Sequence, residues 1–361
     1  MKYLDEYRNP ELAGRIAASI GSHSRRPIRL MEVCGTHTMT IFRSGIKALL
    51  PGTITLVSGP GCPVCVTAPL DIDRAIALCR ESEVTVVTFG DLMRVPGSEY
   101  SLQQAKAQGA DVRVVYASLD ALEVARRNRD RWVVMLGIGF ETTVPTIAAA
   151  VFQARQEGLV NFLVLSAHKL LPPALEALLS TGEVHIDGVI CPGHVSTIIG
   201  IEPYSKVVEH YGKPCVVSGF EPVDILQSVY MLVEQLEQKR CAVEIQYSRG
   251  VHPQGNPRAR YLMQEVFEPV DAEWRGLGCI ARSGLKLRPE YCTYAAENHF
   301  DLTVTPARET SGCRCGDVLR GACTPPECSL FRKRCTPATP YGPCMVSSEG
   351  TCAAYYQYGD V

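Results

Sequence analysis

The chain has 361 residues, a formal net charge of −2 and 46% hydrophobic residues. This length exceeds what one hydrophobic core usually spans, so we expect two or three domains. The small net charge excludes broad attraction to nucleic acid or to an anionic membrane surface. No apolar run approaches about 20 residues, the length of a membrane span. Because the first nine residues are charged and lack the apolar core of a signal peptide, we predict a cytoplasmic protein.

Strands and helices alternate along the first two thirds of the chain. The predicted strands are residues 28–33, 54–57, 84–89, 112–116, 132–136, 162–165, 189–191 and 215–217. The predicted helices are residues 3–20, 39–50, 71–80, 103–108, 119–128, 172–179 and 223–238, with a further helix that ends near residue 156. Such alternation predicts parallel sheets with helices on both faces.

The pattern restarts at about residue 131. We therefore predict two similar Rossmann-like α/β domains, residues 1–130 and 131–240, that face each other across a cleft. Residues 241–361 are predicted to form a third, mostly irregular or helical domain, with a last strand at 243–247 and a helix at 257–267. After Asp271 the chain is rich in Gly, Pro and Cys. Such a segment orders itself at a high entropic cost, so we expect a metal centre to stabilise it.

Sixteen cysteines are unusual for a chain expected in a reducing compartment. There, clustered cysteines indicate metal ligands or redox groups rather than a disulfide scaffold. Seven of the sixteen fall in the last 49 residues. Six others occur singly, and we interpret them as buried packing residues. These six are Cys79, Cys191, Cys215, Cys241, Cys279 and Cys292.

The last four cysteines are separated by wider gaps than the paired ligands of a zinc ribbon, and no histidine lies among them. They are Cys328, Cys335, Cys344 and Cys352. Four thiolates on irregular backbone favour a [4Fe-4S] cluster, with zinc or no metal as the alternatives. Cys313, Cys315 and Cys323 leave the choice of four ligands open. A Cys-x-Cys pair is less able to give both thiolates to one cluster, which favours the later four.

Two loops follow neighbouring predicted strands: residues 34–37 (CGTH) and 59–65 (GPGCPVC). Because functional groups collect at the carboxyl ends of parallel strands, we expect Cys34, Cys62 and Cys65 at one edge of a sheet, together with a histidine. Each loop precedes a predicted helix, whose N-terminus favours a thiolate. The C-x-x-C pair is able to cycle between dithiol and disulfide or to bind a soft metal.

The histidine of the first loop, His37, is a candidate metal ligand or acid–base group, or else a residue that caps the loop. Residues 137–143 (GIGFETT) resemble a phosphate loop only loosely and are better interpreted as a tight turn. Glu141 in that turn is a candidate acid–base group that faces the cleft. We interpret His168 and His194 as residues that hold local backbone.

Five motifs, taken together, resemble the HypD family of maturation factors for the iron site of [NiFe] hydrogenases. They are residues 31–37, 59–65, 139–143, 192–196 and 344–356, and they span nearly the whole chain in order. The resemblance implies two Rossmann-like domains and a third domain with a [4Fe-4S] cluster. It also implies a complex with the chaperone HypC, on which iron receives cyanide and carbon monoxide, and a cyanide donor, HypE.

The resemblance also implies roles for individual residues. Cys34 matches a cysteine that holds iron together with a cysteine of HypC, and His37 matches a supporting histidine. Cys62 and Cys65 match a pair that binds iron or exchanges electrons. The implied cluster ligands are Cys328, Cys335, Cys344 and Cys352. Cys323 departs from the family pattern, which puts the first ligand in doubt.

Two other functions stay open at this point. One is a free-standing thiol–disulfide oxidoreductase that depends on an iron–sulfur cluster, and the other is a non-catalytic assembly scaffold. Whether the chain is an enzyme is therefore not decided by its sequence. We expect a monomer when the protein is alone, with no nucleic-acid or membrane partner.

Overall fold

The computed structural model describes residues 5–305 and 312–359. Residues 3 and 4 of the first predicted helix, and residues 306–311 and 360–361 of the predicted third domain, lie outside the described residues. The strands are β1 (Ile28–Glu32), β2 (Ile54–Ser58), β3 (Val84–Thr88), β4 (Val112–Val114), β5 (Trp132–Gly137), β6 (Phe162–Ser166), β7 (Gly188–Pro192), β8 (Cys215–Ser218), β9 (Val243–Ile245), β10 (Phe267–Trp274) and β11 (Gly278–Leu287).

Helices follow most of these strands. They are α1 (Pro10–His23), α2 (Gly35–Arg43), α3 (Ile46–Leu49), α4 (Pro63–Val66), α5 (Pro69–Leu78), α6 (Leu102–Ala107), α7 (Ser118–Arg127), α8 (Val144–Glu157), α9 (Leu171–Ser180), α10 (Gly193–Ile199), α11 (Ser205–Tyr211), α12 (Pro222–Glu237), α13 (Pro257–Val266), α14 (Cys315–Leu319), α15 (Pro343–Val346) and α16 (Thr351–Tyr358). Several of these helices begin at residues whose side chains cap the helix N-terminus. The side chain of Asn9, for example, accepts hydrogen bonds from two N–H groups of the first turn of α1, and Pro10 follows it.

Two parallel sheets form the centre of the fold, which confirms the predicted α/β class. The first sheet has the strand order β2-β1-β7-β8-β9, and the second has the order β4-β3-β5-β6. Strands β3 and β7 are buried along their whole length. Their runs of apolar residues are typical of parallel strands that are covered on both faces.

The two sheets do not follow the predicted division at residue 130. Strands β1 and β2 join β7, β8 and β9, while β3 to β6 form the other sheet. A boundary at 130 would separate β3 from β5, which are hydrogen-bonded neighbours. The chain starts one sheet, builds the second completely and returns to the first. Crossover connections let parallel strands that are distant in sequence pair side by side, so sequence order does not determine sheet membership.

Strands β10 and β11 form an antiparallel hairpin that was not predicted. The sequence instead predicts mostly irregular or helical structure for residues 241–361, so that prediction is wrong for this segment. The hairpin bridges the two halves of the molecule, because Trp274 pairs with Thr67 after α4 and Gly284 pairs with Lys169 after β6. The Trp274 indole N–H donates to Ser283 at 2.8 Å, which satisfies a polar group in a buried position.

The cysteine-rich tail, described over residues 312–359, consists of short helices joined by irregular chain, as predicted. One apolar cluster includes Met31 of the first sheet, Val86 of the second, and Cys315 and Cys344 of the tail. The tail is therefore part of the common core. Among the described residues, no helix is both long and apolar enough to cross a membrane.

Candidate functional site

The two cysteine loops meet at one edge of the first sheet, as predicted. Strands β1 and β2 pair in parallel, with Glu32 opposite Ser58, so both loops leave the same edge. The Gly35 N–H donates to the Gly61 carbonyl oxygen at 3.0 Å. A β-carbon on Gly61 would lie 2.0 Å from the Cys34 nitrogen. Glycine at position 61 is thus what lets the second loop pack directly against Cys34.

Cys34 lies at the N-terminus of α2 and is only 1% exposed. Its Sγ lies 3.8 Å from Nδ1 of His194, which follows β7 on the other side of β1. Burial raises the pKa of the Cys34 thiol far above its usual value, and the nearby carboxyl groups of Glu32 and Glu349 raise it further. The expectation that the helix N-terminus would favour the thiolate is therefore wrong for Cys34, because desolvation outweighs the N–H groups of α2.

Sequence reasoning missed the buried carboxyl group of Glu32. One oxygen accepts the Cys34 N–H at 2.9 Å, and the other accepts a hydrogen bond from the Thr38 hydroxyl. Burial raises the pKa of Glu32 to about 7, although hydrogen bonds oppose the shift. Glu32 thus holds the Cys34 N–H and the Thr38 side chain of α2 against the end of β1. The only signal in the sequence is an acidic residue at the end of an apolar strand.

Two histidines and an aromatic ring lie beside Cys34. His37 is fully buried, and among the described residues neither of its ring nitrogens has a hydrogen-bond partner. The rings of His37 and His194 each lie 5.3 Å from the ring of Phe220. Burial lowers the pKa of His37 to about 3 and that of His194 to about 4. Both imidazoles are therefore neutral at pH 7, and His194 is placed at the site rather than serving only local backbone.

The second loop places Cys62 and Cys65 at the start of α4. Cys62 Sγ accepts the Cys65 N–H at 3.3 Å, and Cys65 has no exposed surface. Burial raises the pKa of the Cys65 thiol, contrary to the expectation of a thiolate. The Cys65 side chain also reaches the tail, where its Sγ lies 4.0 Å from the Pro343 carbonyl oxygen.

The tail also contacts the first loop. The Thr36 hydroxyl donates to Glu349 at 2.7 Å. The rings of Phe42 and Tyr355 lie 4.3 Å apart, and the Lys47 ammonium donates to the Tyr355 hydroxyl at 3.1 Å. Residues 343–355 therefore lie against both cysteine loops.

Six tail cysteines line one small cavity. They are Cys313, Cys315, Cys328, Cys335, Cys344 and Cys352. The set includes the four predicted cluster ligands, whereas Cys323 lies outside the lining. Within residues 5–305 and 312–359, no three cysteine, histidine or carboxylate groups converge on a point that would hold a single metal ion.

The lining fits a [4Fe-4S] cluster in its donor chemistry, because such a cluster takes one thiolate on each of four irons and not several on one. Gly342 adds to the fit, since a β-carbon there would lie 2.9 Å from Cys313 Sγ. The cavity is about 20 Å³, so the thiols would have to separate to admit the group.

Glu141 lies at the edge of the second sheet, after β5. One carboxyl oxygen accepts the Leu171 N–H at 3.0 Å, and the other has no hydrogen-bond partner in the part of the chain that the structure describes. Burial raises the pKa of Glu141 to about 7. Its hydrogen bond ties the turn after β5 to α9, and the structure does not bring it into hydrogen bonding with the cysteine loops.

The six singly placed cysteines differ in their exposure. Cys79 is partly buried and packs against the core. Cys191 and Cys215 are buried in β7 and β8, as expected for packing residues. Cys241, Cys279 and Cys292 are exposed, so their interpretation as buried packing residues is wrong.

The chain is similar to known proteins over nearly its whole length. The model of the family HypD, described as "Hydrogenase formation hypA family", matches residues 11–359. The chain is 48% identical over 371 residues to the hydrogenase maturation factor HypD of Rhodobacter capsulatus, which covers 99% of this chain and 98% of the relative. It is 45% identical over 366 residues to the hydrogenase maturation factor HypD of Escherichia coli (strain K12), with coverage of 99% and 98%. It is 46% identical over 368 residues to the hydrogenase expression/formation protein HupD of Azotobacter chroococcum mcd 1, with coverage of 99% and 97%.

Proposed function

The chain belongs to the HypD family of hydrogenase maturation factors, and on that premise we propose that it is the site where the Fe(CN)₂CO group of a [NiFe] hydrogenase is assembled. Its substrate is an iron atom that Cys34 holds together with a cysteine of a HypC-type chaperone. A HypE-type protein donates the cyanide as a thiocyanate. Carbon monoxide completes the ligand set.

The observation that carries this proposal is the buried position of Cys34 beside His194. Iron that binds cyanide and carbon monoxide is low-spin and ferrous, and soft thiolates suit it. A thiol must lose its proton when it binds a metal. His194 is neutral and 3.8 Å from the sulfur, so it is placed to accept that proton. The raised pKa keeps the sulfur protonated, and so protected, until iron arrives.

Cys62 and Cys65 supply electrons in the proposed reaction. Release of cyanide from a thiocyanate breaks one S–C bond and consumes two electrons. Oxidation of the two thiols to one disulfide provides these two electrons and two protons. The hydrogen bond from the Cys65 N–H to Cys62 Sγ, which joins the two residues within one turn, supports this pairing.

Cys328, Cys335, Cys344 and Cys352 would hold the [4Fe-4S] cluster, which supplies single electrons when it is bound. Cys65 Sγ lies 4.0 Å from the carbonyl oxygen of Pro343, the residue before Cys344. This contact supports a cluster close to the C-x-x-C pair.

The burial of the C-x-x-C pair argues against a free-standing oxidoreductase. Cys62 is 4% exposed and Cys65 is not exposed at all. Thiol–disulfide exchange requires that one sulfur reach another in line, so the pair is poorly placed to act on disulfides of unrelated proteins.

An infrared spectrum of the protein purified anaerobically with its HypC-type partner tests the proposal. We expect bands of iron-bound cyanide and carbon monoxide, and we expect Cys34→Ala to abolish them. Cys279→Ala is the matched control, because Cys279 is exposed and lies on β11. If cells that make active hydrogenase yield a complex without these bands, the assembly role is wrong.

A further inference from the structure

One aromatic ring contacts both histidines of the Cys34 site. Phe220 follows β8 at the edge of the first sheet where Cys34 follows β1 and His194 follows β7. The centre of its ring lies 5.3 Å from the ring centres of His194 and His37, and the ring planes make angles of 24° and 34°. These distances and angles are typical of rings that pack face to face with an offset. Phe220 therefore bridges the two imidazoles.

Hydrogen bonds do not orient these imidazoles. A functional histidine is usually fixed by a hydrogen bond to the ring nitrogen that it does not use. Within the described part of the chain, the ring of His194 has no hydrogen-bonding contact other than the one to Cys34 Sγ at 3.8 Å, and the ring of His37 has none. Packing alone therefore limits the rotation of both side chains, and Phe220 is the aromatic ring that packs against both.

The backbone around Phe220 is fixed from two sides. The Thr40 hydroxyl of α2 donates to the Phe220 carbonyl oxygen at 2.7 Å, and the Gly219 N–H donates to Gln246 Oε1 at 3.0 Å. A β-carbon on Gly219 would lie 2.4 Å from Asp224 Oδ2, so glycine at position 219 lets the chain pass directly against this carboxylate. The loop of residues 219–221 is therefore placed by Asp224.

Asp224 is a carboxylate of α12 with no exposed surface. Its two oxygens accept hydrogen bonds from both terminal nitrogens of the Arg249 guanidinium, at 2.7 Å and 2.6 Å. Gln246 Nε2 donates to Oδ1 at 2.8 Å, and the Glu221 N–H donates to Oδ2 at 3.1 Å. A charge at this depth is stable only when it is paired and hydrogen-bonded. The Asp224–Arg249 ion pair thus fixes the loop that carries the aromatic ring.

A second contact joins the ion pair to the ring of Phe220. The Arg249 guanidinium lies 4.6 Å from the ring centre of Tyr247, and the Tyr247 ring meets the Phe220 ring edge-on at 5.6 Å. Glycines make room for Tyr247, because a β-carbon on Gly193 or Gly250 would lie 2.7 Å or 2.4 Å from its ring. The ion pair therefore supports both the backbone and the ring of Phe220.

We propose that Phe220 is a positioning residue that holds the His194 imidazole toward the Cys34 sulfur. The Asp224–Arg249 ion pair keeps Phe220 in that position. Phe220 acts through His194 and does not itself take up the thiol proton. A thiol must lose its proton when it binds a metal, so a histidine that turned away would leave the sulfur without an acceptor. The inference rests on the proposed function only in assigning Cys34 as the residue that holds iron.

Alkylation of Cys34 by iodoacetamide, followed by peptide mapping of the full chain at pH 7, tests this role without iron or partner. Phe220→Leu keeps an apolar side chain but lacks a flat ring, and it should slow alkylation by about fivefold. Phe220→Tyr keeps the ring and should retain the rate of the unaltered protein. Since Phe220 is only half-buried, we expect both variants to fold.

A second background separates positioning from access to the sulfur. In His194→Phe, the further change Phe220→Leu should cause no additional slowing, because the imidazole is already gone. An equal effect of Phe220→Leu in both backgrounds would show that the ring controls access and would overturn the proposal. A tyrosine variant as slow as the leucine variant, or a leucine variant as fast as the unaltered protein, would overturn it as well.

Arg249→Lys tests the ion pair, because it keeps the charge beside Asp224 but lacks the fork of two donors. It should slow alkylation, again only when His194 is present. Arg8→Lys makes the matched change at the exposed fork between Arg8 and Glu221 of the same loop, and it should leave the rate unchanged. Equal rates for the two lysine variants would overturn the role of the ion pair. A complex of the unaltered protein without infrared bands would instead count against iron assembly and would leave the alkylation results as they are.

Discussion

Cys34 Sγ and His194 Nδ1 lie 3.8 Å apart, although 160 residues separate them in the chain. The contact exists because β7 returns to pair with β1, with Ile190 opposite Glu32. His194 is the second residue of α10, which begins at Gly193 directly after β7. The topology of the first sheet therefore gives the buried thiol a neutral proton acceptor.

His194→Phe should slow alkylation of Cys34 by iodoacetamide at pH 7 by about tenfold, because the phenyl ring keeps the stacking on Phe220 but cannot accept the thiol proton. Peptide mapping after timed exposure measures this rate. His210→Phe is the control, since His210 is exposed on α11. Equal rates for the unaltered protein and the His194 variant would show that the imidazole does not assist the thiol.

Glu32→Gln should remove part of the pH dependence of stability. The pKa of Glu32 is raised from 4.5 to about 7, so the folded protein keeps a proton that the unfolded chain has lost. The resulting stabilisation is complete below pH 4.5 and is lost as the pH rises through 7, in total about 3 kcal/mol. The amide does not titrate, so this loss should be absent from the variant.

Denaturant unfolding between pH 5 and pH 7.5 measures the effect of Glu32. The depressed pKa values of His37 and His194 give the opposite slope, because their contribution to stability is lost as the pH falls. The difference between the unaltered protein and Glu32→Gln isolates the carboxyl group. Glu141→Gln is the matched comparison, since the pKa of Glu141 is also raised to about 7. A difference that does not change with pH would mean that Glu32 is ionised throughout.

Gly61→Ala should destabilise the fold by about 3 kcal/mol or displace the loop from Cys34, because the new β-carbon would meet backbone that cannot move aside. Gly52→Ala is the control, since nothing lies within 4 Å of a β-carbon at that position. We expect the control to change stability by less than about 1 kcal/mol. Thermal unfolding of both variants measures the loss of stability. The rate of Cys34 alkylation shows whether the loop has moved away from Cys34. If Gly61→Ala and Gly52→Ala had the same stability and the same rate of Cys34 alkylation, the close contact between the loops would be contradicted.

The features that depend on local sequence patterns were predicted correctly. Apolar runs located the parallel strands, and the rule for strand ends brought Cys34 together with Cys62 and Cys65. The order of strands in the sheets was not predictable, because periodicity carries no information about which distant strands pair. The β10–β11 hairpin was missed. Residues of β10 alternate between greater and lesser exposure, but a proline within a strand weakens such a pattern as a strand signal.

The electrostatics of the site depended on burial, which the sequence does not report. A helix N-terminus lowers a thiol pKa, yet desolvation of a fully buried sulfur has the larger effect. The role of Glu32 was equally hidden, because its partners are the Cys34 N–H and the Thr38 hydroxyl rather than a residue of opposite charge. The position of the tail against both loops follows from tertiary contacts alone.

The packing of the tail against the first loop is tested through the hydrogen bond between Thr36 and Glu349. The hydroxyl-to-carboxylate hydrogen bond of 2.7 Å joins the first loop to the segment that carries Cys344 and Cys352. Thr36→Val and Glu349→Ala should each destabilise the protein, and the double variant should lose less than the sum of the two. We expect a coupling energy of about 1 kcal/mol, measured by denaturant unfolding as a double-mutant cycle. Hydrogen exchange in residues 343–358 should rise in each variant, because the tail is held less firmly. Additive losses with unchanged exchange would show that this hydrogen bond does not hold the tail on the loop.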